Sequence, residues 1–258
     1  MKTLFSYLAI LFYVIIALSC HHALTPQTTA PVSMEVTDTK GNLNLLGKAT
    51  AKRLTQPPFG DWYNKNYDLY AVDSATVQKL RTGLAGRHLL VFMGTWCGDS
   101  RREVPRFFKI LDCCGINPDS VELVTVNNSV SEYKQSPGHE ERGRDIFRVP
   151  DFIVLDQGRE MGRIVESPVV SLEKDLLSIV SEEHYSPNYR GAALLVEMFH
   201  RERVKKMRRH LPQLTEKLKS LVGSSGELTS YAHVLEAAGE KDKAGLVREL
   251  NKRLFPQG

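Results

Sequence analysis

The segment with the clearest chemical potential is WCGDS at residues 96–100. It follows an apolar run at residues 88–93 and precedes a stretch in which apolar residues recur every three or four positions, so we expect Cys97 at the start of a helix. At that place, unpaired backbone N–H groups and the positive end of the helix dipole favour a thiolate over a thiol. Because the thiolate is the form that attacks a disulfide sulfur, Cys97 is a candidate nucleophile. The alternative is a buried, inert cysteine.

Two further cysteines, Cys113 and Cys114, lie near the far end of the same predicted helix. At about 1.5 Å per residue they are about 24 Å from Cys97. A disulfide needs Cα atoms within about 7 Å of each other, so neither can pair with Cys97 while the helix is intact. They could form a strained bond with each other or stay reduced. We favour the reduced pair, because neighbours in sequence rarely bridge.

The composition excludes several classes of protein. Among 258 residues, 34 basic and 30 acidic side chains leave a net charge of +4, which is too small for a dedicated nucleic-acid binder. The 4 cysteines are too few for a small disulfide-stabilised domain. The 8 histidines show no tight metal-ligand spacing. We therefore expect no nucleic-acid partner, no metal site and no cofactor.

Strand and helix patterns alternate on both sides of the motif. The run at 88–93 (HLLVFM) is typical of a strand buried on both faces. The other predicted elements are strands at 121–126, 152–155 and 161–165, and helices at about 73–81, 99–112 and 172–180. This order predicts a mixed sheet covered by helices. The aromatic residues at 59–70 are interpreted as packing on the edge of that domain.

The chain beyond Pro187 has a different character. Basic residues outnumber acidic ones there, and no strand pattern persists. Proline is tolerated in the first turn of a helix but disrupts its interior, so Pro212 predicts one helix ending near His210 and another beginning beside it. A loop at 223–226 and Gly239 then delimit two helices at 227–238 and 240–254. We expect this helical segment to pack on the main domain.

The N-terminus has the pattern of an export signal. Lys2 precedes about 15 mostly apolar residues, whereas a helix that spans a membrane needs about 20. Residues 17–19 (ALS) fit the small-x-small pattern of a signal-peptide cleavage site. A short membrane anchor is the alternative. Cys20 resembles the lipid-acceptor cysteine of bacterial lipoproteins, which implies a membrane-anchored protein of the periplasm. Residues 21–37 are interpreted as a tether, and 40–42 (KGN) as the turn of a small hairpin.

Residues 62–183 resemble the thioredoxin-fold superfamily, whose active-site motif is WCGPC. Pro105 matches the proline that kinks the active-site helix of the family, and Gly158 the glycine between its last two strands. Val149 and Pro150 precede a predicted strand, as the family's cis-proline does, so the resemblance implies a cis peptide bond between them. The string at 94–111 is similar to exported bacterial members.

The resemblance implies an α/β fold with a thioredoxin-like mixed sheet flanked by helices and an all-helical C-terminal extension. We accordingly divide the chain into four parts. Residues 1–19 are the signal peptide, 20–55 the tether and N-terminal extension, 56–185 the thioredoxin-like domain and 186–258 the helical C-terminal extension.

Two departures from the family pattern bear on the function that the resemblance implies. Ser100 stands where dithiol members have the resolving cysteine, and Val91 stands where thioredoxins have a buried aspartate. The resemblance therefore implies monothiol exchange, in which Cys97, with Trp96 and Ser100 beside it, attacks a client disulfide. A serine hydroxyl cannot release the mixed disulfide, so an external thiol reductant or the client's own second cysteine completes the reaction.

Val149 and Pro150 are expected to present backbone to an extended client strand, and Asp151 after them to make that client surface acidic. The implied activity is that of a thiol-disulfide oxidoreductase or isomerase in cell redox homeostasis. The alternative is a non-catalytic thioredoxin-fold binding or scaffold module, whose helical tail engages a protein partner. In that case Cys97 is vestigial.

Overall fold

A six-stranded mixed sheet forms the centre of the structure, a computed structural model that describes residues 33–257. Its strands are β1 (Met34–Thr37), β2 (Leu43–Ala49), β3 (His88–Met93), β4 (Val121–Thr125), β5 (Asp151–Asp156) and β6 (Arg159–Val165). They lie in the order β1-β2-β4-β3-β5-β6. Strands β3 and β4 are parallel, and the other neighbours are antiparallel. The predicted signal peptide and Cys20 lie outside the described residues.

Helices flank this sheet and form the C-terminal part of the chain. Those preceding the C-terminal part are α1 (Ala51–Leu54), α2 (Gly60–Leu69), α3 (Ser74–Leu84), α4 (Gly98–Cys114) and α5 (Leu172–Val180). The C-terminal ones are α6 (Arg190–Arg201), α7 (Val204–Arg209), α8 (Leu211–Lys219), α9 (Ser225–Ala237) and α10 (Lys241–Leu254). The predicted α/β class, with a mixed sheet flanked by helices and a helical C-terminus, is confirmed. Within residues 33–257, no helix has the length and apolar character needed to cross a membrane.

Both faces of the sheet are buried, which explains the continuous apolar run of β3. Leu89 and Val91 join the larger core, to which α2, α3, α4 and α5 also contribute. Leu90 and Phe92 point to the opposite face and join a second core. That second face is covered by the irregular segment 126–150 between β4 and β5, and Cys97 packs against it. The nucleophile candidate thus lies at the sheet face that carries no helix of the main domain.

The N-terminal strands extend the sheet beyond the predicted main domain. The hairpin predicted around Gly41 is confirmed, because β1 and β2 pair on either side of a turn in which Gly41 has a φ of 84°. The tether prediction is wrong for its last four residues, Met34–Thr37, which form β1. Strand β2 pairs with β4 and buries Leu45 completely, so pairing and burial order this segment.

The aromatic residues before α3 pack against the larger core, as predicted. Phe59 and Tyr63 are buried, and Trp62 packs against the same core from a partly exposed position. The Tyr67 hydroxyl donates a 2.6 Å hydrogen bond to Asp112 near the end of α4. These contacts therefore hold α2 against α4, the helix that begins beside Cys97.

The C-terminal helices share a core of their own that reaches the main domain. Phe147 and Val165 belong to this core together with residues from α6 to α10. Pro212 lies in the first turn of α8, and Gly239, with a φ of 78°, separates α9 from α10, as predicted. The loop predicted at 223–226 is shorter than expected, because α9 already begins at Ser225. The sequence did not predict α6.

Candidate functional site

Cys97 occupies the N-cap of α4, directly before Gly98. Its φ and ψ of −88° and 125° are extended, and its carbonyl accepts a 3.0 Å hydrogen bond from the Arg101 N–H. The thiol makes no capping bond to the helix, and the side chain is half-buried. The start of a 17-residue helix therefore leaves free N–H groups beside an accessible sulfur.

The Cys97 thiol contacts the backbone that precedes Pro150. Its Sγ donates a 3.3 Å hydrogen bond to the carbonyl oxygen of Val149. The Val149–Pro150 peptide bond is cis, as predicted, and both residues are buried. The fold thus brings three of the predicted site residues together from positions about 50 apart in the chain.

Trp96 forms a wall beside the thiol. Its indole Nε1 donates a 2.8 Å hydrogen bond to the carbonyl oxygen of Val126, and its ring lies 6.4 Å from that of Tyr133. A Cβ at residue 94 would overlap the Trp96 indole, so Gly94 is required for this placement. The hydrogen bond to Val126, the packing on Tyr133 and the missing Cβ at Gly94 together set the position of the Trp96 indole.

Ser100 is completely buried one turn along α4. Its hydroxyl oxygen accepts a 3.2 Å hydrogen bond from the backbone N–H of Gly94. Because Gly94 belongs to the link between β3 and α4, this bond fastens the first turn of the helix to the strand that precedes it. Ser100 therefore stabilises the first turn of α4, the helix that begins beside Cys97.

Replacing Ser100 by cysteine is expected to create a disulfide with Cys97, since residues three apart on a helix share a face. The test uses a single-thiol chain, in which Cys20, Cys113 and Cys114 are replaced by serine. After mild oxidation, mass spectrometry should show the loss of two hydrogens in the Ser100→Cys variant and none in its parent. A variant that stays reduced would mean that the two side chains do not converge.

The charges at the start of α4 are paired with one another. Asp99 accepts a 2.6 Å hydrogen bond from Arg102, which also donates 2.6 Å to Glu103. Arg101 instead donates a 2.5 Å hydrogen bond to the carbonyl oxygen of Thr95. Arg102 therefore offsets the Asp99 carboxylate, whose field would otherwise oppose ionisation of the thiol.

Lys134 is a site residue that the sequence analysis missed. It lies in segment 126–150, and its side chain is buried although no carboxylate accepts its described hydrogen bonds. Its ammonium donates 2.7 Å to the hydroxyl of Tyr133 and 2.9 Å to that of Ser230 in α9. The pKa of Lys134 is lowered to about 7, chiefly by burial and also by the positive charge of Arg148, against the opposing effects of the negative charges of Cys97 and Glu166. A lysine in a polar stretch carries no local signal of such burial.

Arg148 connects the site to the helical extension. It donates 3.1 Å to the Glu166 carboxylate and 2.8 Å to the carbonyl oxygen of Gly226. Burial raises the pKa of Glu166, against the opposing effect of Arg148. The Glu166 N–H in turn donates 2.7 Å to the carbonyl oxygen of Pro150. The C-terminal helices thus form part of the surroundings of Cys97.

The prediction that Asp151 contributes an acidic client surface is wrong. Its side chain is 0 % exposed and accepts a 3.1 Å hydrogen bond from Arg163 on the neighbouring strand. Burial raises the pKa of Asp151, and Arg163 acts in the opposite direction. The ion pair between β5 and β6 keeps the Asp151 carboxylate buried, so it does not form part of an exposed surface beside the thiol.

The cysteines at the end of α4 stay apart from this site. Cys113 is exposed and Cys114 buried, and both are free, as predicted. Burial raises the pKa of Cys114. In the described part of the chain, no three His, Cys, Asp or Glu side chains come together as a metal site.

Comparison of the chain with protein-family models, curated proteins and solved structures found no match in any of the three. Function is therefore inferred from the geometry. Its central feature is a thiol at a helix start, bonded to the carbonyl before a buried proline. The Trp96 indole, the buried Ser100 hydroxyl and the buried Lys134 ammonium belong to its surroundings.

Proposed function

We propose that the main domain is a thioredoxin-like domain. The parallel unit β3-α4-β4 is followed by the hairpin β5-β6 and by α5, and the strands lie side by side as β4-β3-β5-β6. Pro105 falls inside α4, and the buried Pro150 lies across from the start of that helix. This order of elements and the place of Cys97 support the resemblance to the superfamily.

We further propose that the protein carries out monothiol thiol–disulfide exchange with client disulfides through Cys97. The observation that carries this proposal is the accessible Cys97 thiol at the start of α4, bonded to the Val149 carbonyl. Free N–H groups and the helix dipole stabilise the thiolate there, and a partly exposed thiolate is the reactive form.

The exchange begins when the Cys97 thiolate attacks one sulfur of the client disulfide, so that a new S–S bond forms as the old one breaks, and the second client sulfur leaves as a thiolate. If a different thiol of the client then attacks the client sulfur of the mixed disulfide, Cys97 is released and the client disulfide is rearranged without net electron transfer. If instead an external small thiol attacks the Cys97 sulfur, the client leaves with both sulfurs reduced. A second small thiol then attacks the sulfur bound to Cys97, which releases Cys97 and forms the disulfide of the small thiol.

The Val149 carbonyl has a role in both states of the thiol. It accepts the hydrogen bond of the protonated Cys97. Ionisation removes that hydrogen and leaves the oxygen unpaired beside the sulfur. A backbone N–H of an extended client strand can then donate to it, which aligns the client disulfide with the nucleophile.

For its location, we propose a protein exported to the periplasm and held at a membrane by a lipid on Cys20. The support is the short apolar run, the small residues before Cys20 and the tether after it.

The exchange is tested by incubating the single-thiol chain with oxidised glutathione. We expect a glutathione adduct on Cys97 that added reduced glutathione removes. The matched control retains Cys113 as its single thiol, because Cys113 is exposed at the opposite end of α4. Cys97 should react at least about tenfold faster at pH 7, since only the helix start favours the thiolate. Equal rates would refute the assignment of Cys97 as the nucleophile.

The competing function is a non-catalytic binding module. It is favoured by Ser100, whose buried hydroxyl bonds to Gly94 at the position from which a resolving thiol would act. The two functions differ in the same experiment: a folded chain whose Cys97 forms no adduct supports the binding module.

A further inference from the structure

The most unusual buried group near the site is the Lys134 ammonium. The side chain is 3 % exposed, and its described hydrogen-bond partners are two hydroxyl groups. The backbone of Lys134 has a φ of 58°, a left-handed conformation that residues other than glycine seldom adopt. It is fixed by hydrogen bonds that join Lys134 and Gln135 to Asn127. A buried cation without a carboxylate is costly, so the Lys134 ammonium is a candidate for a functional role.

Two sets of contacts connect the ammonium to residues that neighbour Cys97 and Val149. Tyr133, which accepts its first hydrogen bond, lies against the ring of Trp96, the residue before the cysteine. Ser230, which accepts the second, donates 3.2 Å to the carbonyl oxygen of Phe147. Phe147 is two residues before Val149, the acceptor of the thiol. Lys134 is therefore linked both to Trp96 and to the backbone segment that carries Val149.

Other charged and titratable groups lie near Lys134 or Cys97. They include Asp99, Arg101 and Arg102 on α4, Tyr133, Glu141, Arg142, Asp145 and Arg148 in segment 126–150, Glu166 after β6, and Glu227 and His233 on α9. Glu141 accepts a 3.0 Å hydrogen bond from the Ser136 N–H, and Asp145 pairs with His200. Asp99 pairs with Arg102, and Arg148 with Glu166. Glu227 accepts a 2.8 Å hydrogen bond from Ala192 at the start of α6, and His233 packs on the ring of Tyr133. Arg101 donates to the carbonyl oxygen of Thr95 and Lys134 to two hydroxyl groups, so neither has a described hydrogen bond to a carboxylate. Of these two cations, Arg101 is half-buried and Lys134 is buried.

We propose that the Lys134 ammonium is the positive charge that stabilises the Cys97 thiolate, which makes Lys134 a positioning residue for the exchange. This inference rests on the proposed function. When the thiol ionises, its proton goes to solvent, and the ammonium offsets the negative charge left on sulfur. Consistent with this, the negative charge of Cys97 raises the pKa of Lys134 against the effect of burial.

The test measures the rate at which iodoacetamide alkylates Cys97 in the single-thiol chain. Lys134→Met is expected to slow the reaction about three- to tenfold at pH 7, because the thiolate loses a nearby opposite charge. At pH 10.5, well above the pKa of Lys134, the side chain is neutral in the parent as well, so the two rates should agree. Lys134→Arg, which keeps the charge, should restore most of the rate at pH 7.

The matched control is Lys109→Met, which removes the same charge about 18 Å along α4 from Cys97, at about 1.5 Å per residue. It should leave both rates unchanged. An unchanged rate at pH 7 in Lys134→Met would overturn the proposal. So would an equal loss at both pH values, because that pattern indicates a structural defect.

A second measurement leaves Lys134 intact. NMR titration of its side chain should give a lower pKa in Cys97→Ala than in the parent, because the negative partner is gone. An unshifted titration would contradict the coupling. Neither measurement requires disulfide exchange. A normal result here with no glutathione adduct would therefore refute the proposed function alone, and the reverse pattern would refute the role of Lys134 alone.

Discussion

Replacing Arg163 by methionine is expected to lower the free energy of unfolding by about 3–5 kcal/mol at pH 8. The Asp151 carboxylate is completely buried, and Arg163 donates to its Oδ2 at 3.1 Å. Its other oxygen has no hydrogen-bond partner among the described residues. Removal of the guanidinium therefore leaves a buried negative charge without compensation. Urea unfolding of the parent and the variant measures the difference.

The matched control is the double variant Arg163→Met with Asp151→Asn. It should regain most of the lost stability, since neither charge is then buried alone. The deficit of the single variant should shrink as the pH falls, because burial raises the pKa of Asp151 and a protonated carboxyl needs no counter-charge. A deficit below about 1 kcal/mol at pH 8, the range of surface ion pairs, would show that the pair is not a buried one in solution.

The second large effect concerns the pH dependence of stability, which Lys134 is expected to dominate between pH 7 and 9.5. Its pKa is lowered from 10.5 to about 7 in the fold. In this range the unfolded chain holds a proton that the folded chain has lost, so unfolding takes up a proton and becomes less favourable as the pH rises. At about 1.4 kcal/mol per pH unit, the folded state gains about 3 kcal/mol from Lys134 over this range.

Comparison with Lys134→Met isolates this contribution. The variant should be more stable than the parent at pH 6, because it buries no ammonium, and its advantage should vanish as the pH approaches 9.5. Five tyrosines whose pKa values are raised by burial act in the opposite direction at higher pH, and they are common to both chains. Parallel stability curves for the two chains would contradict a lowered pKa of Lys134.

Elements with complete local signals could be predicted from the sequence. Strand His88–Met93 and helix Leu172–Val180 have their predicted bounds. The strand is an uninterrupted apolar run, and the helix combines apolar periodicity with Ser171, whose side chain caps it by accepting from the Lys174 N–H. Both signals act within a few residues, so the rest of the fold is not needed to recognise them.

Elements that depend on distant partners could not be predicted in this way. Helix Arg190–Arg201 begins at Tyr189, which has a left-handed φ of 66° and no side-chain cap. The Glu227 carboxylate accepts from the N–H of Ala192 in its first turn, 35 residues away. The N-terminal strand Met34–Thr37 likewise becomes a strand through its pairing with β2. Their signals lie in tertiary contacts.

The same distinction between local signals and tertiary contacts applies to the residues of the candidate site. The sequence singled out Trp96, Cys97 and Ser100 because they form one motif, and the resemblance added Val149 and Pro150. The structure brings the thiol to the Val149 carbonyl. The charged surroundings of the thiol were missed. Lys134, Arg148 and Glu166 are separated from Cys97 and from one another along the chain. Lys134 and Arg148 also donate hydrogen bonds to residues of the C-terminal helices.

The hydrogen bond between Lys134 and Ser230 spans 96 residues, and that from Arg148 to Gly226 spans 78. The surroundings of the thiol are therefore complete only when the C-terminal helices have packed on the main domain. Without those helices, Lys134 lacks the hydroxyl of Ser230, and Arg148 lacks the carbonyl of Gly226. A chain shortened before Gly226 would keep the Cys97 motif and lose both of these contacts.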